Sequence, residues 1–212
     1  MKTDDLIAAI SADAKSARPP ITSVVWLAAG AGVIAAAVLF FLLLQPRPNI
    51  AEAVAEPSFL FKWVLTLTLL ASALVLMLQL ARPQPLSRNG LLLLLAPVAV
   101  LALGVTNELL SLPSSDWMPT MIGTSATACM MFIPMLSALP LAVLLLALRQ
   151  GAPSRPALTG AVAGLAATGI GATFYASHCT NDSPLFMAAW YVLGTAIMAV
   201  AGAFLGARLL RW

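Results

Sequence analysis

The chain has 212 residues, 61% of them hydrophobic and 9% charged, against about 45–50% and about 25% in ordinary globular proteins. A mean hydropathy of +0.96 over the whole length leaves no room for a soluble enzyme or DNA-binding domain on a single anchor. The formal charge of +3 comes from basic residues scattered beside apolar stretches, which orients a membrane protein rather than forming a phosphate-binding surface.

Residues 1–20 precede the first apolar stretch. Asp4 and Asp5 open a short helix, where acidic side chains suit the helix dipole, and Leu6, Ile7 and Ile10 share one of its faces. Such a stripe needs a partner: the membrane interface, the protein's own loops, or another protein. The acidic start suits an anionic bilayer poorly, and a basic protein partner matches the charges better.

A helix needs about 20 mostly apolar residues to cross a hydrocarbon core of about 30 Å. Six stretches qualify, at about 21–44, 59–81, 90–111, 119–147, 157–177 and 185–207. Pro, Gly and charge clusters divide them, among them Gln45-Pro46-Arg47-Pro48, Arg82-Pro83-Gln84-Pro85 and His178-Cys179-Thr180-Asn181-Asp182. The first stretch exceeds the h-region of about 7–15 residues in a signal peptide and is retained as a helix. Alternating sides puts Lys2, Lys15, Arg18, Arg82, Arg88, Arg149, Arg155, Arg208 and Arg211 on one face of the membrane and Arg47 and Lys62 on the other. The positive-inside rule then sets both termini in the cytoplasm. The expected architecture is all-α: a cytoplasmic segment 1–20, a bundle of six transmembrane helices over 21–207, and a short cytoplasmic tail 208–212.

Within the bundle, Gly160 and Gly164, and Gly202 and Gly206, are GxxxG pairs that permit close backbone approach. Pro134 and Pro140 interrupt the hydrogen bonding of the fourth span. No titratable residue falls near the expected midplane. Lys62 and Glu108 are expected at outer helix ends, within reach of headgroups, which counts against an ion-coupled transporter. No Walker, GxSxG, HExxH or CxxC motif occurs, so no enzyme is expected.

Two cysteines remain. Cys179 lies in the outer loop before the sixth span, and Cys129 about nine residues into the fourth, about 13 Å below the surface at about 1.5 Å per residue. A disulfide needs Cα atoms about 4.4–6.8 Å apart, so pairing requires that the loop dip inward or that the fourth span begin later. Three readings stand side by side. One is a thiol sensor of oxidants or of a transient thiophilic metal ion held by Cys129, Cys179 and His178, with Met130 and Met131 as accessory soft ligands. The others are a static structural disulfide and two unrelated small apolar residues.

Six spans of this size, the opening Met1-Lys2-Thr3-Asp4-Asp5-Leu6-Ile7, Cys129 in the fourth span, and the run His178-Cys179-Thr180-Asn181-Asp182-Ser183-Pro184-Leu185-Phe186 leading to Trp190-Tyr191 resemble the NrsF-like membrane anti-sigma factors over the full chain. The resemblance implies a multi-pass protein of the bacterial inner membrane. Such a protein holds an extracytoplasmic-function sigma factor of the sigma-F type, needs no cofactor and does not touch nucleic acid directly. It also implies a signal response through Cys129 and Cys179. Contact of Leu6, Ile7 and Ile10 with the sigma factor is our inference, as the inner loops at 82–89 and 148–156 are equally available. A small transporter or channel for a metal ion or small molecule is the alternative, and a membrane dithiol oxidoreductase ranks below it.

Overall fold

A computed structural model describes residues 3–13, 19–82, 90 and 92–211. Its described secondary structure is helical: α1 (Thr3–Asp13), α2 (Ile21–Leu43), the single turn α3 (Ile50–Ala53), α4 (Pro57–Leu80), α5 (Leu95–Ser111), the short α6 (Trp117–Ile122), α7 (Ala126–Leu148), α8 (Pro156–Ala176) and α9 (Pro184–Leu209). Helices α2, α4, α7, α8 and α9 are each long and apolar enough to cross a membrane. The third expected span is represented by α5, whose 17 residues extend about 25 Å at about 1.5 Å per residue. The breaks expected at Gln45-Pro46-Arg47-Pro48 and at 178–182 hold, because the residues that interrupt hydrophobicity are also those that cannot continue a helix, while the break expected at 83–85 lies outside the described residues.

The fourth expected span begins later than 119. Gly123 adopts φ +58°, a left-handed conformation that ends α6, and α7 starts afresh at Ala126. Cys129 therefore sits in the first turn of α7 rather than deep within a longer helix. Pro134 and Pro140 are both accommodated inside α7.

Helix α8 is the hub, packed against α2, α4, α7 and α9. Lipid tails are as apolar as leucine, so packing rather than the hydrophobic effect must join helices in a bilayer, and small residues permit it. A Cβ on Gly160 would lie 2.1 Å from the Gly202 carbonyl oxygen, and one on Gly164 would lie 2.2 Å from that of Met198. The two GxxxG pairs thus face one another along the α8–α9 seam. Gly169 gives the same close approach to Leu70 of α4, and Gly171 to Ser137 of α7.

The two ends of the bundle differ in charge. At one end, the turns after α2, α5 and α8 meet the starts of α4, α7 and α9: Arg47 N–H donates to the Ser177 carbonyl (3.1 Å) and Asn181 Nδ2 to Thr124 Oγ1 (3.3 Å). That end carries Glu52, Glu56, Glu108, Asp116 and Asp182. At the other, Arg82 donates to Thr22 Oγ1 (2.9 Å), and Arg149, Arg155 and Arg208 lie there too. The described side chains of α1, Leu6 and Ile7 among them, are exposed. Ile10 lies in this helix, but its side chain is outside the described residues, as are Lys2, Lys15, Arg18 and Arg88.

Candidate functional site

The C-terminus of α8 builds the site. Its last turn closes on the Tyr175 carbonyl, which accepts from the N–H groups of His178 (3.0 Å) and Cys179 (2.9 Å). This folds Cys179 back into the bundle. From the facing side, the late start of α7 lifts Cys129 to the same level. Cys129 (0% exposed) and Cys179 (2%) share a buried cluster with Tyr175, Phe186, Met187 and Tyr191. The later helix start and the inward fold of the loop together bring the two thiols into one cluster. Both cysteines are free thiols.

An ion-pair clamp surrounds the second thiol. Lys62 Nζ donates to the Cys179 carbonyl (2.7 Å) and pairs with an Asp182 carboxylate oxygen. Arg47 Nη1 pairs with the other oxygen of the same carboxylate (2.9 Å) and reaches the Cys179 carbonyl at 3.4 Å. Both cations lie over the Phe59 ring, at 4.7 Å for Arg47 and 5.3 Å for Lys62, where the ring's π face adds attraction. Lys62 is fully buried and Arg47 is 5% exposed. This corrects the expectation that Lys62 reaches outward to headgroups: it turns inward because Asp182 and a backbone carbonyl satisfy its ammonium there, and an unpaired charge could not be buried so.

Two buried cations therefore face one carboxylate, and the Cys179 sulfur is the nearby group that can supply a further negative charge. Its thiol is pulled down to about 6, first by the hydrogen bond from Cys129 and then by the Lys62 charge and the backbone about Asn181, against the opposing effect of burial. The Cys179 sulfur also lies 3.8 Å from the Asn181 carbonyl oxygen. Such a thiolate is the form that reacts with oxidants and soft metals.

The start of α9 is held just as firmly. Ser183 caps it by accepting from Phe186 N–H (3.2 Å), and Glu108 accepts from Ser183 Oγ (2.8 Å) and Leu185 N–H (2.7 Å). A carboxylate at a helix N-terminus is favoured by the unpaired N–H groups there. Residues Met187–Tyr191 then form one wide π turn, a local irregularity that often accompanies function. Trp190 on this turn donates to the Met121 carbonyl (3.0 Å) and fastens α6.

Of the other soft-ligand candidates, His178 borders the thiol cluster, its ring 6.2 Å from that of Tyr175. His178 Nδ1 is 2.9 Å from the Gln45 carbonyl oxygen, Met130 is half-buried, and Met131 is 57% exposed. The methionine that packs in the thiol cluster is Met187. Among the described residues no three His, Cys, Asp or Glu side chains gather into a metal-binding set. Arg47, Lys62 and Asp182 were not legible as site residues: their charges are visible in the sequence, but their convergence depends on where the loop after α8 folds.

Residues 10–212 match the model of the family described as NrsF, negative regulator of sigma F. The chain is 34% identical to anti-sigma-F factor NrsF of Caulobacter vibrioides and 32% identical to probable anti-sigma-F factor NrsF of Azospira oryzae, each alignment covering all of both chains. No solved structure matches the chain.

Proposed function

The chain belongs to the NrsF family of negative regulators of sigma F, and from that membership we propose an inner-membrane anti-sigma factor controlled by its dithiol. The protein holds an extracytoplasmic-function sigma factor of the sigma-F type and releases it when Cys129 and Cys179 react. It is a regulator rather than an enzyme. In this reading α5 is a short third span among six, and the positive-inside rule puts both termini and the arginine-rich end in the cytoplasm. The thiol end then faces the periplasm, and α1 presents Leu6 and Ile7 to the sigma factor.

The observation that carries the sensing is the convergence of two buried thiols from separate helices beside a clamp with one excess positive charge. Cys179 as thiolate attacks the terminal oxygen of a hydroperoxide, expelling hydroxide or alkoxide and leaving a sulfenic acid. The Cys129 thiol then attacks that sulfur, and water leaves as the disulfide forms. A thiophilic metal ion takes the alternative course of binding both sulfurs as thiolates with release of their protons. Either event changes packing where α7 starts and α9 enters, and both helices continue to the arginine-rich end. To carry the equilibrium from 1:99 to 99:1, the reacted pair must favour the released state by about 5.5 kcal/mol.

Co-purification of the full-length protein from mild detergent, beside a version lacking residues 2–18, tests the partner. A sigma factor held by the first and lost from the second is expected. Retention by both would move the contact to the inner loops, and its absence from both well-folded proteins would refute the anti-sigma role.

A further inference from the structure

A second feature lies on the outward face of α9, toward the arginine-rich end. Ala196, Ile197, Val200, Ala201 and Phe204 line an open groove along this helix, which is long and apolar enough to cross a membrane. Ile197, Val200 and Phe204 are exposed, so on a membrane-crossing helix the groove faces lipid. Ile197, Ala201, Phe204 and Arg208 recur at i, i+4, i+7 and i+11, which sets Arg208 on the same stripe, about 17 Å along the axis from Ile197 at about 1.5 Å per residue. The apolar groove thus ends at a cation.

That cation is held in place. The Arg208 guanidinium lies 4.1 Å from the centre of the Phe204 ring, and a guanidinium stacked on a ring keeps its N–H donors at the edge for an anion. Arg155 stands at the same corner: it precedes Pro156, whose carbonyl oxygen would lie 2.6 Å from a Cβ on Gly206. Neither arginine meets a carboxylate among the described residues. Position and charge together narrow the occupant. A soluble partner cannot enter a groove inside the hydrocarbon layer. A second copy of the chain, inserted in the same sense and paired on this face about a two-fold axis, would set Arg208 against its own counterpart, like charge on like. What fits is a molecule with an apolar chain and an anionic head at one end.

We propose that this corner binds an anionic phospholipid, with one acyl chain in the α9 groove and the phosphate between Arg208 and Arg155. The fork of each guanidinium matches phosphate oxygens, and basic sites beside membrane-spanning helices are a common form of lipid headgroup recognition. The chain lies along α9 while the head reaches from α9 to the start of α8, so the bound lipid bridges the two helices at the end of the seam formed by Gly160, Gly164, Gly202 and Gly206. The proposal depends neither on the thiol reading nor on which side of the membrane this end faces.

Native mass spectrometry of the full-length protein in detergent, titrated with dipalmitoyl phosphatidylglycerol and, in parallel, with dipalmitoyl phosphatidylcholine, tests the proposal. One phosphatidylglycerol per chain, bound about 10-fold more tightly than phosphatidylcholine, is expected. Arg208→Gln and Arg155→Gln should each weaken that binding by about 5-fold. Phe204→Leu leaves the groove apolar but frees the guanidinium, and should weaken it by about 3-fold. Arg149→Gln, at the same end on α7, is the control and should change nothing. All four side chains are exposed, so each variant should keep the parent's melting temperature, which separates loss of lipid from loss of fold. Equal affinity for the two lipids, an equal loss in Arg149→Gln, or a mass of two chains without lipid would each overturn the proposal, the last by assigning the face to a second copy.

Discussion

Replacing Cys129 by alanine removes the hydrogen bond that contributes most to holding Cys179 as a thiolate. With its thiol at about 6, about 90% of Cys179 is ionised at pH 7, whereas a thiol at the ordinary value of about 8.5 is about 3% ionised. Lys62 and the Asn181 backbone remain in the variant and still favour the thiolate, so the loss at pH 7 should lie between about 3-fold and about 30-fold. The assay is the pH dependence of Cys179 carbamidomethylation by iodoacetamide, followed by mass spectrometry of the peptide that contains it. The midpoint is the informative quantity, because intrinsic nucleophilicity rises with thiol pKa and partly masks the change in rate. A midpoint near pH 6 in the parent that moves upward in Cys129→Ala is expected. The reasoning fails if the two midpoints coincide, or if the parent already titrates near the ordinary value.

Three more consequences follow from the same geometry. Because the folded Cys179 thiol is depressed, its contribution to stability is complete above the unfolded value of about 8.5 and is lost as pH falls through about 6; unfolding by SDS from pH 9 to pH 5.5 should show this slope in the parent and not in Cys179→Ser. Asp182→Asn leaves Lys62 and Arg47 buried without their carboxylate and should destabilise by about 3–5 kcal/mol, measured by the same titration; a change below about 1 kcal/mol would mean that the clamp is hydrated like a surface pair. Gly164→Val should separate α8 from α9 and lower the melting temperature sharply, since even a Cβ there lies 2.2 Å from the Met198 carbonyl oxygen, while Gly30→Ala, with open space around it, should be neutral or stabilising.

The long apolar helices were legible because hydrophobic runs and their Pro, Gly and charged boundaries are visible in the sequence itself. The GxxxG pairs were legible for a related reason: Gly160, Gly164, Gly202 and Gly206 are the small residues that allow backbone contact, and they make it. The break at Gly123 was not, since its flanks Met121-Ile122 and Thr124-Ser125 differ little in pattern from a continuous span and only the positive φ reveals the new start. That single residue decides the depth of Cys129. Cys129 and Cys179 could be nominated from the sequence but not joined. Lys62 illustrates the remaining limit: its place near a helix end suggests a side chain reaching outward, and only the position of Asp182 on a loop far along the chain makes the inward rotamer favourable. His178 and Met131 were nominated for ligand chemistry alone, and the backbone directs one to the Gln45 carbonyl and the other to an exposed face.

The most direct test of the account is to isolate the protein with its bound sigma factor under reducing conditions, add hydrogen peroxide, and measure the sigma factor that remains bound alongside the Cys129–Cys179 disulfide by mass spectrometry. Release in step with disulfide formation, reversal of the disulfide by dithiothreitol, and retention of the sigma factor by Cys129→Ser are predicted. Full disulfide formation with the sigma factor still bound would contradict the coupling between the two ends of the bundle on which the account depends.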